Sequence, residues 1–432
     1  MSYSSVFIDG LMGPSYHFGG LSLGNTWSET HFKEISFPKK AALEGLHKMF
    51  EVYSLGLHQY VLPPVRKDVS ALFRSLGYDH FNSESLRELF SVNPYFVSSV
   101  FSSSSAWLAN IGHVTPACDS FTHKMNVTPA NLNYCFHRSC DVEGYRDLLS
   151  TLFENCHDVV LHRPITSSFG DEGSANTVRL SASSGEGFFL YVYGKTVDRT
   201  YSHKYPARQS KEAFDILVKQ HHVSRKFVMV QQSQEAIDAG VFHNDVICFG
   251  LENLLIVHES AFENQEEVMS YVKELYEETF SEDLQVIVIS REMMSLEEAV
   301  KSYFFNSQLL PLSDGGFHCF VSTHSRKYSA LEQVLQYIQS ECSRFSYSYV
   351  ECDESIKNGG GPACLRLGFV ASEHDRKLLN DAFLLTQERY DFLYSFISRH
   401  YPDEMQFEQL RDYEFLCECR EIVDSLFREF TL

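Results

Sequence analysis

Residues 245–259 read DVICFGLENLLIVHE, in which two short apolar runs are separated by the turn-like sequence Gly250-Leu251-Glu252-Asn253. Such runs on both sides of a short turn predict a β-hairpin, with strands at 245–250 and 253–259. A helical pattern follows at 263–280, and a further strand is predicted at 284–290. The order of strand, strand, helix and strand indicates a ββαβ unit, whereas a doubly wound sheet would alternate single strands with helices.

The same kinds of element recur from about residue 158 onward. Further strands are predicted where apolar runs begin, at residues 158, 188, 227, 317 and 363, and further helices at 210–220, 295–305, 329–345, 375–395 and 405–430. No low-complexity tract or Pro/Ser linker divides the chain, although SSVFSSSSAW at 98–107 is a candidate loop. We therefore predict an α/β protein of repeated ββαβ units, folded as a single domain over residues 1–432.

The composition limits the classes of function. The chain has 36 basic and 57 acidic residues, and its net charge of -21 argues against a nucleic-acid partner, which would need basic patches. The first residues lack a signal-peptide pattern and no run of about eighteen apolar residues occurs, so we expect a cytoplasmic protein with no membrane partner. The 11 cysteines form no CxxC pair and no zinc-type ladder, so we expect reduced thiols and no metal or other cofactor.

The most informative segment for chemistry is NGGGPAC at 358–364. Three consecutive glycines remove every β-carbon and let the backbone approach a ligand closely, and Pro362 fixes one φ angle. The run ACLRLGFV is typical of a buried strand, so Cys364 is expected at a strand entrance. A thiol held in this way is a candidate nucleophile, but most buried cysteines are ordinary core residues, and a reactive one needs a neighbouring cation or base.

One histidine and several carboxylates are candidates for partners of that thiol. In VFHNDVICF (241–249), His243 and Asp245 are two residues apart, and in a strand they would share a face. In GDEGSANTVRL (170–180), Asp171 and Glu172 lie between glycines, which is typical of a tight loop that presents carboxylates. Each pattern alone is also common in residues with purely structural roles.

Further polar segments could contact a ligand. GGLSLGN at 19–25 is a glycine-rich loop that lacks the lysine of a Walker phosphate loop. The others are WLAN (107–110) with Asn110, NLNYCFHRS (131–139) with His137 and Arg138, and YPARQS (205–210) with Arg208. Arginine presents a planar fork that can hold a carboxylate at two points, although each of these arginines could equally form a structural ion pair.

Taken together, these segments resemble the succinylarginine dihydrolase family, which belongs to a superfamily of guanidino-group-modifying enzymes that also contains arginine deiminases and amidinotransferases. The resemblance covers roughly residues 5–430 through the motifs GGLSLGN, AWLAN, NLNYCFHR, GDEGSAN, YPARQ, GVFHNDVI, FNSQLL and NGGGPACLRL. It implies a five-bladed pseudo-symmetric α/β propeller of ββαβ units around a central site. It also implies a small-molecule guanidino substrate, and it is compatible with a homodimer.

The resemblance further implies roles for individual residues, by motif position. Cys364 looks like the nucleophile, with Glu172 and His243 completing the catalytic set. Residues of the loop at 19–28, called here the first loop, and of five later segments look like substrate-binding positions. These are Gly19, Gly20, Leu21, Ser22, Leu23, Gly24, Asn25, Ser28, Asn110, His137, Arg138, Arg208, Asp245 and Asn358.

The sequence departs from the family pattern at a few positions. Trp27 is a bulky residue in the first loop, Cys135 and Cys140 lie on either side of His137 and Arg138, and Thr177 stands where a histidine is expected. These departures concern the fit of the substrate more than the chemistry.

The activity that the resemblance implies is hydrolysis of N-succinyl-L-arginine to N-succinyl-L-ornithine, two ammonia and carbon dioxide in arginine catabolism. Carboxylates would hold the guanidinium, Cys364 would attack it, and His243 would act as general acid and base. Arginine deiminases and amidinotransferases use the same groups for a single step, so the residues alone leave that alternative open. A binding protein without catalysis is disfavoured by the intact Glu172, His243 and Cys364, and a papain-like peptidase by the absence of a CGSCW-type signature.

Overall fold

The computed structural model describes residues 3–198, 204–224 and 226–430. The strands in this part of the chain are short, at three to eight residues each. They are β1 (Tyr3–Gly10), β2 (His58–Leu62), β3 (Gly112–Thr115), β4 (Met125–Pro129), β5 (Val159–Leu161), β6 (Thr177–Ser181), β7 (Gly187–Tyr193), β8 (Phe227–Gln231), β9 (Cys248–Leu251), β10 (Leu254–His258), β11 (Gln285–Ile289), β12 (Gln308–Pro311), β13 (Phe317–Ser322), β14 (Phe345–Val350) and β15 (Arg366–Ser372).

The helices lie between and after these strands. The α-helices are α1 (Thr26–Thr30), α2 (Pro38–Ser54), α3 (Val69–Ser75), α4 (Ser83–Val92), α5 (Pro94–Phe101), α6 (Phe136–Ser139), α7 (Val142–Leu152), α8 (Lys211–Gln220), α9 (Gln234–Ala239), α10 (Gln265–Phe280), α11 (Leu296–Ser302), α12 (Ala330–Glu341), α13 (Asp353–Lys357), α14 (Glu373–Leu378), α15 (Gln387–His400) and α16 (Tyr413–Glu429). Short 3₁₀ turns are Ser104–Ala106, Leu108–Asn110, Ala117–Asp119, Gly173–Asn176, Asn244–Val246, Phe304–Asn306, Thr323–Lys327, Asp381–Phe383 and Phe407–Arg411. Among the described residues, none of the helices has both the length and the apolar character needed to cross a membrane.

The strands of the described residues pair into five three-stranded sheets, β3-β4-β5, β6-β7-β8, β9-β10-β11, β12-β13-β14 and β15-β1-β2. In every sheet the middle strand is antiparallel to the first neighbour and parallel to the other. A parallel pair needs a crossover, and a long helix supplies it each time: α7, α8, α10, α12 and α2, respectively. The predicted α/β class and the ββαβ unit are therefore confirmed.

The fifth sheet differs from the others because its strands come from opposite ends of the described chain. β15 pairs antiparallel with β1, in a register that sets Tyr3 opposite Ser372 and Asp9 opposite Arg366. Lys48 of α2 and Gln59 of β2 both donate hydrogen bonds to the buried carboxylate of Asp9. This network ties β1 to α2 and β2 on one side, while on the other side β1 pairs with β15, which begins two residues after Cys364.

The hairpin predicted at 245–259 forms, but its first strand is shorter than expected. Leu251 and Leu254 face each other across the turn, in which Glu252 has a φ of 52°. β9 begins only at Cys248, and the residues before it form the 3₁₀ turn Asn244–Val246. The prediction that His243 and Asp245 share a strand face is therefore wrong: His243 precedes the turn and Asp245 lies within it.

The helices predicted near the C-terminal end are also divided. The segment 375–395 is not one helix, because α14 ends at Leu378 and α15 begins at Gln387. Side chains of Asn380 and Thr386 accept backbone N–H hydrogen bonds at the starts of the following turns. Local capping by such residues competes with a continuous helix, which explains the break.

Apolar helix faces cover the sheets and form the core. In the β15-β1-β2 sheet, Leu46 and Met49 of α2 are buried in the same cluster as Val6 and Ile8 of β1. Burial of one such side chain contributes about 1.5–3 kcal/mol relative to its exposed state. The core thereby holds the sheets firmly, and the turns before the first strands of several sheets carry polar residues of the candidate site, among them Asn110, Glu172, Asp245 and Cys364.

Candidate active site

Cys364 lies in a tight turn immediately before β15. Its side chain is 3% exposed. Its N–H donates to the Asn306 side-chain oxygen at 3.2 Å, and its carbonyl accepts the N–H of Ala109 at 3.1 Å. Both sides of the residue are therefore held, and the expected location at a strand entrance is confirmed.

The glycines before Cys364 allow other segments to approach closely. Gly359 has a φ of 87°, and a β-carbon there would lie 1.8 Å from the side chain of Asn25. A β-carbon on Gly360 would lie 2.0 Å from Nε1 of Trp107. With glycine present, Asn25 instead donates to the carbonyl of Gly359 at 3.1 Å. The glycine run thus joins the first loop to the turn that carries Cys364.

The thiol of Cys364 contacts a carboxylate. Its Sγ is 3.3 Å from Oδ2 of Asp245 and donates a hydrogen bond to it. Burial raises the pKa of the Cys364 thiol well above its usual range, and the negative charge of Asp245 raises it further. Burial also raises the pKa of Asp245 to about 6, although hydrogen bonds from Cys364 and Asn306 oppose this shift. At neutral pH this pair is a neutral thiol beside an ionised carboxylate.

Glu172 and His243 form a second pair, and both side chains are fully buried. Nε2 of His243 is 2.9 Å from Oε2 of Glu172. Burial alone would raise the pKa of Glu172, but its hydrogen bond with His243 and the nearby positive charges lower it to about 2. Burial lowers the pKa of His243 to about 4, despite the opposing effect of Glu172. At neutral pH this pair is a carboxylate and a neutral imidazole.

The hydrogen bond between these two groups defines the state of the imidazole. An ionised carboxylate can only accept, so Nε2 of His243 carries the hydrogen and Nδ1 carries the lone pair. Nδ1 is buried and has no hydrogen-bond partner among the described residues. His243 therefore presents an unused proton acceptor.

The backbone around Glu172 is held by two amide side chains. The N–H of Glu172 donates to the side-chain oxygen of Gln209 at 2.8 Å, and its carbonyl accepts from Nδ2 of Asn110 at 2.6 Å. Gly173, which follows, has a φ of 72°, and a β-carbon there would lie 3.0 Å from the carbonyl oxygen of Ala109. The acidic loop is therefore packed against the turn that contains Asn110.

Arg138 connects the two pairs electrostatically. Its Nη1 is 3.8 Å from Oε2 of Glu172. Its positive charge also lowers the pKa of Asp245 and of Cys364, although in both cases burial is the larger influence and acts in the opposite direction. Its charge thus acts on both pairs, and the turn that contains Ala109 and Asn110 donates hydrogen bonds to the carbonyls of both Cys364 and Glu172, so motifs that are far apart along the chain meet at one site.

Arg208 is a buried arginine with unused donors. It is 2% exposed, and its guanidinium carbon lies 4.9 Å from the ring centre of Tyr134 and 4.8 Å from that of Phe242. Nη2 donates to the carbonyl of Leu23 at 3.0 Å, whereas Nε and Nη1 have no partner among the described residues. Two free donors on a buried cation are suited to a carboxylate.

The first loop borders a separate cavity of about 30 Å³, termed here the loop cavity. Most of the predicted binding positions line this cavity, and the others are not part of its lining. Those that line it are Gly19, Leu21, Ser22, Asn25, Ser28, His137, Arg138 and Asn358. Gly20 and Gly24 have φ angles of 57° and 85° and shape the loop, while the side chain of Leu23 is 55% exposed.

The departures from the family pattern are accommodated in different ways. Trp27 stacks on His31 with 5.2 Å between ring centres and contacts the edge of His324 at 4.7 Å, so its bulk packs against other aromatic rings. Cys135 is buried, and burial raises its thiol pKa. Thr177 is the first residue of β6.

Sequence reasoning missed several residues that hold the site together. Asn306 bonds to both the N–H of Cys364 and the carbonyl of Asp245, the latter at 3.1 Å. It lies in FNSQLL, a motif that contributes to the family resemblance but does not by itself indicate a role for Asn306. Gln209, adjacent to Arg208, gave no signal of its own.

Comparison with known proteins gives a consistent result over the whole chain. A family model described as succinylarginine dihydrolase matches residues 3–432. A protein named N-succinylarginine dihydrolase from Aliivibrio fischeri is 36% identical over 426 residues, which cover 97% of this chain and 95% of that protein. A protein of the same name from Pseudomonas fluorescens is 37% identical over 441 residues, which cover 99% of this chain and 97% of that protein.

A solved structure shares the fold at low sequence identity. The N-terminal domain of ArgZ, an arginine dihydrolase from cyanobacteria, was determined bound to its product and matches with a TM-score of 0.53 at 13% identity. The match covers 84% of this chain and 97% of that domain. Given the family match over residues 3–432 and the identity to these relatives, this chain belongs to the succinylarginine dihydrolase family.

Proposed function

We propose that this protein hydrolyses N-succinyl-L-arginine to N-succinyl-L-ornithine, two ammonia and carbon dioxide in arginine catabolism. Family membership supports this substrate. The observation that carries the proposal is the presence of two pairs, Cys364 with Asp245 at 3.3 Å and His243 with Glu172 at 2.9 Å, which the turn of residues 109–110 joins through hydrogen bonds to the carbonyls of Cys364 and Glu172. In the proposed roles, Cys364 is the nucleophile, His243 the general acid and base, and Glu172 the residue that orients His243.

The first step is binding of the guanidinium beside Asp245. In the free protein the thiol of Cys364 donates to Asp245, so the carboxylate has only a neutral partner. A guanidinium offers two parallel N–H donors and a positive charge, which suit a carboxylate far better. Its charge also lowers the pKa of the thiol, because an adjacent cation stabilises the thiolate. Substrate binding thereby helps to activate the nucleophile.

The second step is attack on the guanidinium carbon. Nδ1 of His243 takes the thiol proton, and the Glu172 carboxylate stabilises the resulting imidazolium. The S–C bond forms, His243 returns the proton to one nitrogen, and the C–N bond breaks to release ammonia. Water then attacks the same carbon while His243 accepts its proton, and the C–S bond breaks to give a ureido group and the free thiol.

The third step repeats this chemistry on the ureido group. Attack by Cys364 releases the second ammonia, and hydrolysis of the remaining C–S bond leaves a carbamate that separates into carbon dioxide and N-succinylornithine. Two waters are consumed in total. No metal or other cofactor is needed, because the thiol, the imidazole and the carboxylates supply every proton and bond.

The two carboxylates of the substrate need cationic or hydrogen-bonding partners at the other end of the site. We propose Arg208, which has two unused donors, and the residues that line the loop cavity, including His137, Asn25, Ser28 and Asn358. Asn110, whose side-chain oxygen is buried without a partner among the described residues, would face the same ligand. The glycines of the first loop would let its backbone follow the succinyl chain.

We also propose that the five sheets are the blades of a pseudo-symmetric propeller that forms a single domain over residues 1–432 of a cytoplasmic enzyme. Support comes from a cavity of about 120 Å³ to which the antiparallel edge strand of every sheet contributes. The contributing residues include Val114 of β3, Thr177 of β6, Phe249 of β9, Leu309 of β12 and Gly368 of β15. We call it the edge-strand cavity.

The test is incubation with N-succinylarginine. We expect two ammonia per substrate consumed and N-succinylornithine as the organic product. One ammonia per substrate with accumulation of N-succinylcitrulline would instead identify a deiminase. Neither product with the purified, folded protein would contradict the proposal, and N-succinylornithine formed equally well by Cys364→Ala would contradict the role of Cys364.

A further inference from the structure

The edge-strand cavity is distinct from the loop cavity. Among the described residues, none lines both. The loop cavity is bordered by the first loop and by the turn of His137 and Arg138, whereas the edge-strand cavity is bordered by strands of all five sheets. The protein therefore has two separate internal spaces near the candidate site.

The inner end of the edge-strand cavity adjoins Cys364. Its lining includes Asp245, which accepts the hydrogen bond of the thiol, and Ala363, which precedes Cys364 in the chain. It also includes Ala109, whose N–H donates to the carbonyl of Cys364 at 3.1 Å. At the other end, Gly368 of β15 is exposed and Ser5 of β1 is partly exposed. The cavity thus runs from the surroundings of the thiol toward the surface.

The proposed reaction needs such a second route. While the substrate carbon is bonded to Cys364, the succinylornithine part still occupies its binding site. Water must nevertheless reach that carbon twice in each turnover, and ammonia must leave twice. A separate path for these small molecules avoids release of the bound intermediate between the two rounds.

The size and polarity of the edge-strand cavity suit water and ammonia. A volume of about 120 Å³ accommodates several waters, since one water needs about 10–15 Å³ of such space. Four polar atoms in its lining residues are buried without a hydrogen-bond partner among the described residues: Oγ1 of Thr177, Oδ1 of Asn244, Oδ1 of Asp245 and Nε of Arg366. Water is the natural partner for such atoms.

We propose that the edge-strand cavity conducts water to Cys364 and ammonia away from it, while the amino-acid substrate enters on the side of the loop cavity. This inference rests on the proposed function. Thr177 is the residue that departs from the histidine expected there, and its short side chain leaves more of the cavity open.

The test is to fill the cavity from two different sheets, with Thr177→Phe in β6 and Ser5→Phe in β1. Ser4→Phe is the matched control, because adjacent side chains of a strand point to opposite faces. For each plugged variant that unfolds at the wild-type temperature, we expect kcat for N-succinylarginine to fall at least about tenfold with KM within about twofold. Acid-quenched samples of these plugged variants should contain the covalent substrate adduct on Cys364, detected by peptide mass spectrometry. Wild-type kcat without adduct in both folded plugs would overturn the proposal.

A second measurement does not depend on turnover. Methyl methanethiolsulfonate is a small neutral thiol reagent, and its rate of reaction with Cys364 can be followed by mass spectrometry with and without saturating N-succinylornithine. We expect the product to leave Cys364 reactive in the wild type, and the plugs, but not Ser4→Phe, to slow the reaction at least fivefold. Complete protection of Cys364 by bound N-succinylornithine would contradict a second route to the thiol. So would plugged variants that react at the wild-type rate both with and without N-succinylornithine. Failure of the proposed function would appear separately, as an absence of ammonia from wild type.

Discussion

Two carboxylates of the site, Asp245 and Glu172, show opposite electrostatic behaviour although they lie in the same site. Asp245 is partly exposed and bonds to a neutral thiol, and burial raises its pKa to about 6. Glu172 is fully buried, but its hydrogen bond with His243 and the charges of Arg138 and Arg208 hold its pKa at about 2. Burial disfavours both anions, so the difference comes from their partners.

The comparison indicates a division of labour. The carboxylate of Glu172 already accepts a hydrogen bond from His243 and lies 3.8 Å from the cation Arg138, although its Oε1 has no hydrogen-bond partner among the described residues. The Cys364–Asp245 pair differs, because among the described residues no cation lies at hydrogen-bonding distance of the Asp245 carboxylate. A guanidinium would supply that cation, so the second pair is the one that responds to substrate.

The largest effect is expected from removal of the nucleophile. Cys364→Ala should lower ammonia release at least about 10³-fold, since loss of a nucleophile leaves only binding and orientation. Cys319→Ala is the matched control, because burial also raises the pKa of this thiol, to about 12, and no carboxylate contributes to that shift. Comparable losses in both variants would break the distinction between a thiol paired with a carboxylate and a core thiol.

The next prediction separates the two carboxylates directly. Asp245→Asn and Glu172→Gln should each lower kcat/KM by about 10²–10³-fold. Only Asp245→Asn should also shift the pH midpoint of Cys364 alkylation by iodoacetamide, to lower pH by about one unit or more, because it removes the anion that opposes the thiolate. Equal shifts in both variants would show that the two carboxylates act on the thiol in the same way.

Arg208 offers a smaller effect that is confined to binding. Its charge acts on Glu172 and His243, and its free donors are proposed to hold a substrate carboxylate. Arg208→Ala should raise KM for N-succinylarginine about 10–100-fold, as expected for loss of charge-assisted hydrogen bonds. KM for agmatine, a guanidino compound without carboxylates, should change much less. Equal effects on both compounds would assign Arg208 to the guanidinium end of the site.

The smallest effects concern stability and differ in sign. Asp245 has a folded pKa above its usual value of 3.8, so the fold loses stability as pH rises from about 4 through 6. Glu172 has a folded pKa of about 2, below its usual 4.5, so its contribution is present above pH 4.5 and is lost as pH falls toward 2.

Urea unfolding at pH 8 and pH 4 measures this difference. Relative to wild type, Asp245→Asn should raise the free energy of unfolding by about 1–2 kcal/mol at pH 8 and by much less at pH 4. Glu172→Gln should lower it by about 2–3 kcal/mol at pH 8, with a smaller loss at pH 4. The same sign for both variants at pH 8 would contradict the comparison.

The sequence was most informative where chemistry restricts the choice of residue. Cys364, His243 and Glu172 stand in recognisable motifs because few side chains can act as nucleophile or base. The amides that hold them, Asn306 and Gln209, are common residue types whose partners lie 58 and 37 positions away in the chain. No local pattern announces such contacts.

The strands, like the residues of the site, could be predicted only in part from the sequence. Runs such as 188–194 and 227–233 became β7 and β8 because alternating or continuous apolar residues stand between clear breaks. The sequence patterns predict no strand before residue 158 and none over β6, β12 or β14, and they predict strand where the 3₁₀ turn at 244–246 begins the hairpin segment. The hydrogen bond from the N–H of Asn244 to the side chain of Asn176, at 2.8 Å, fixes that turn through tertiary structure.

The pairing of β1 with β15 has a consequence for the time at which the protein acquires activity during synthesis. A ribosome that has made the first 350 residues has already produced Glu172, His243 and Asp245, but not the thiol or the strand that anchors it. The contact between Tyr3 and Ser372 forms across nearly the whole chain, and such distant pairings form late. The proposed activity therefore cannot appear before the last sheet closes, and a product terminated before residue 364 lacks the proposed nucleophile.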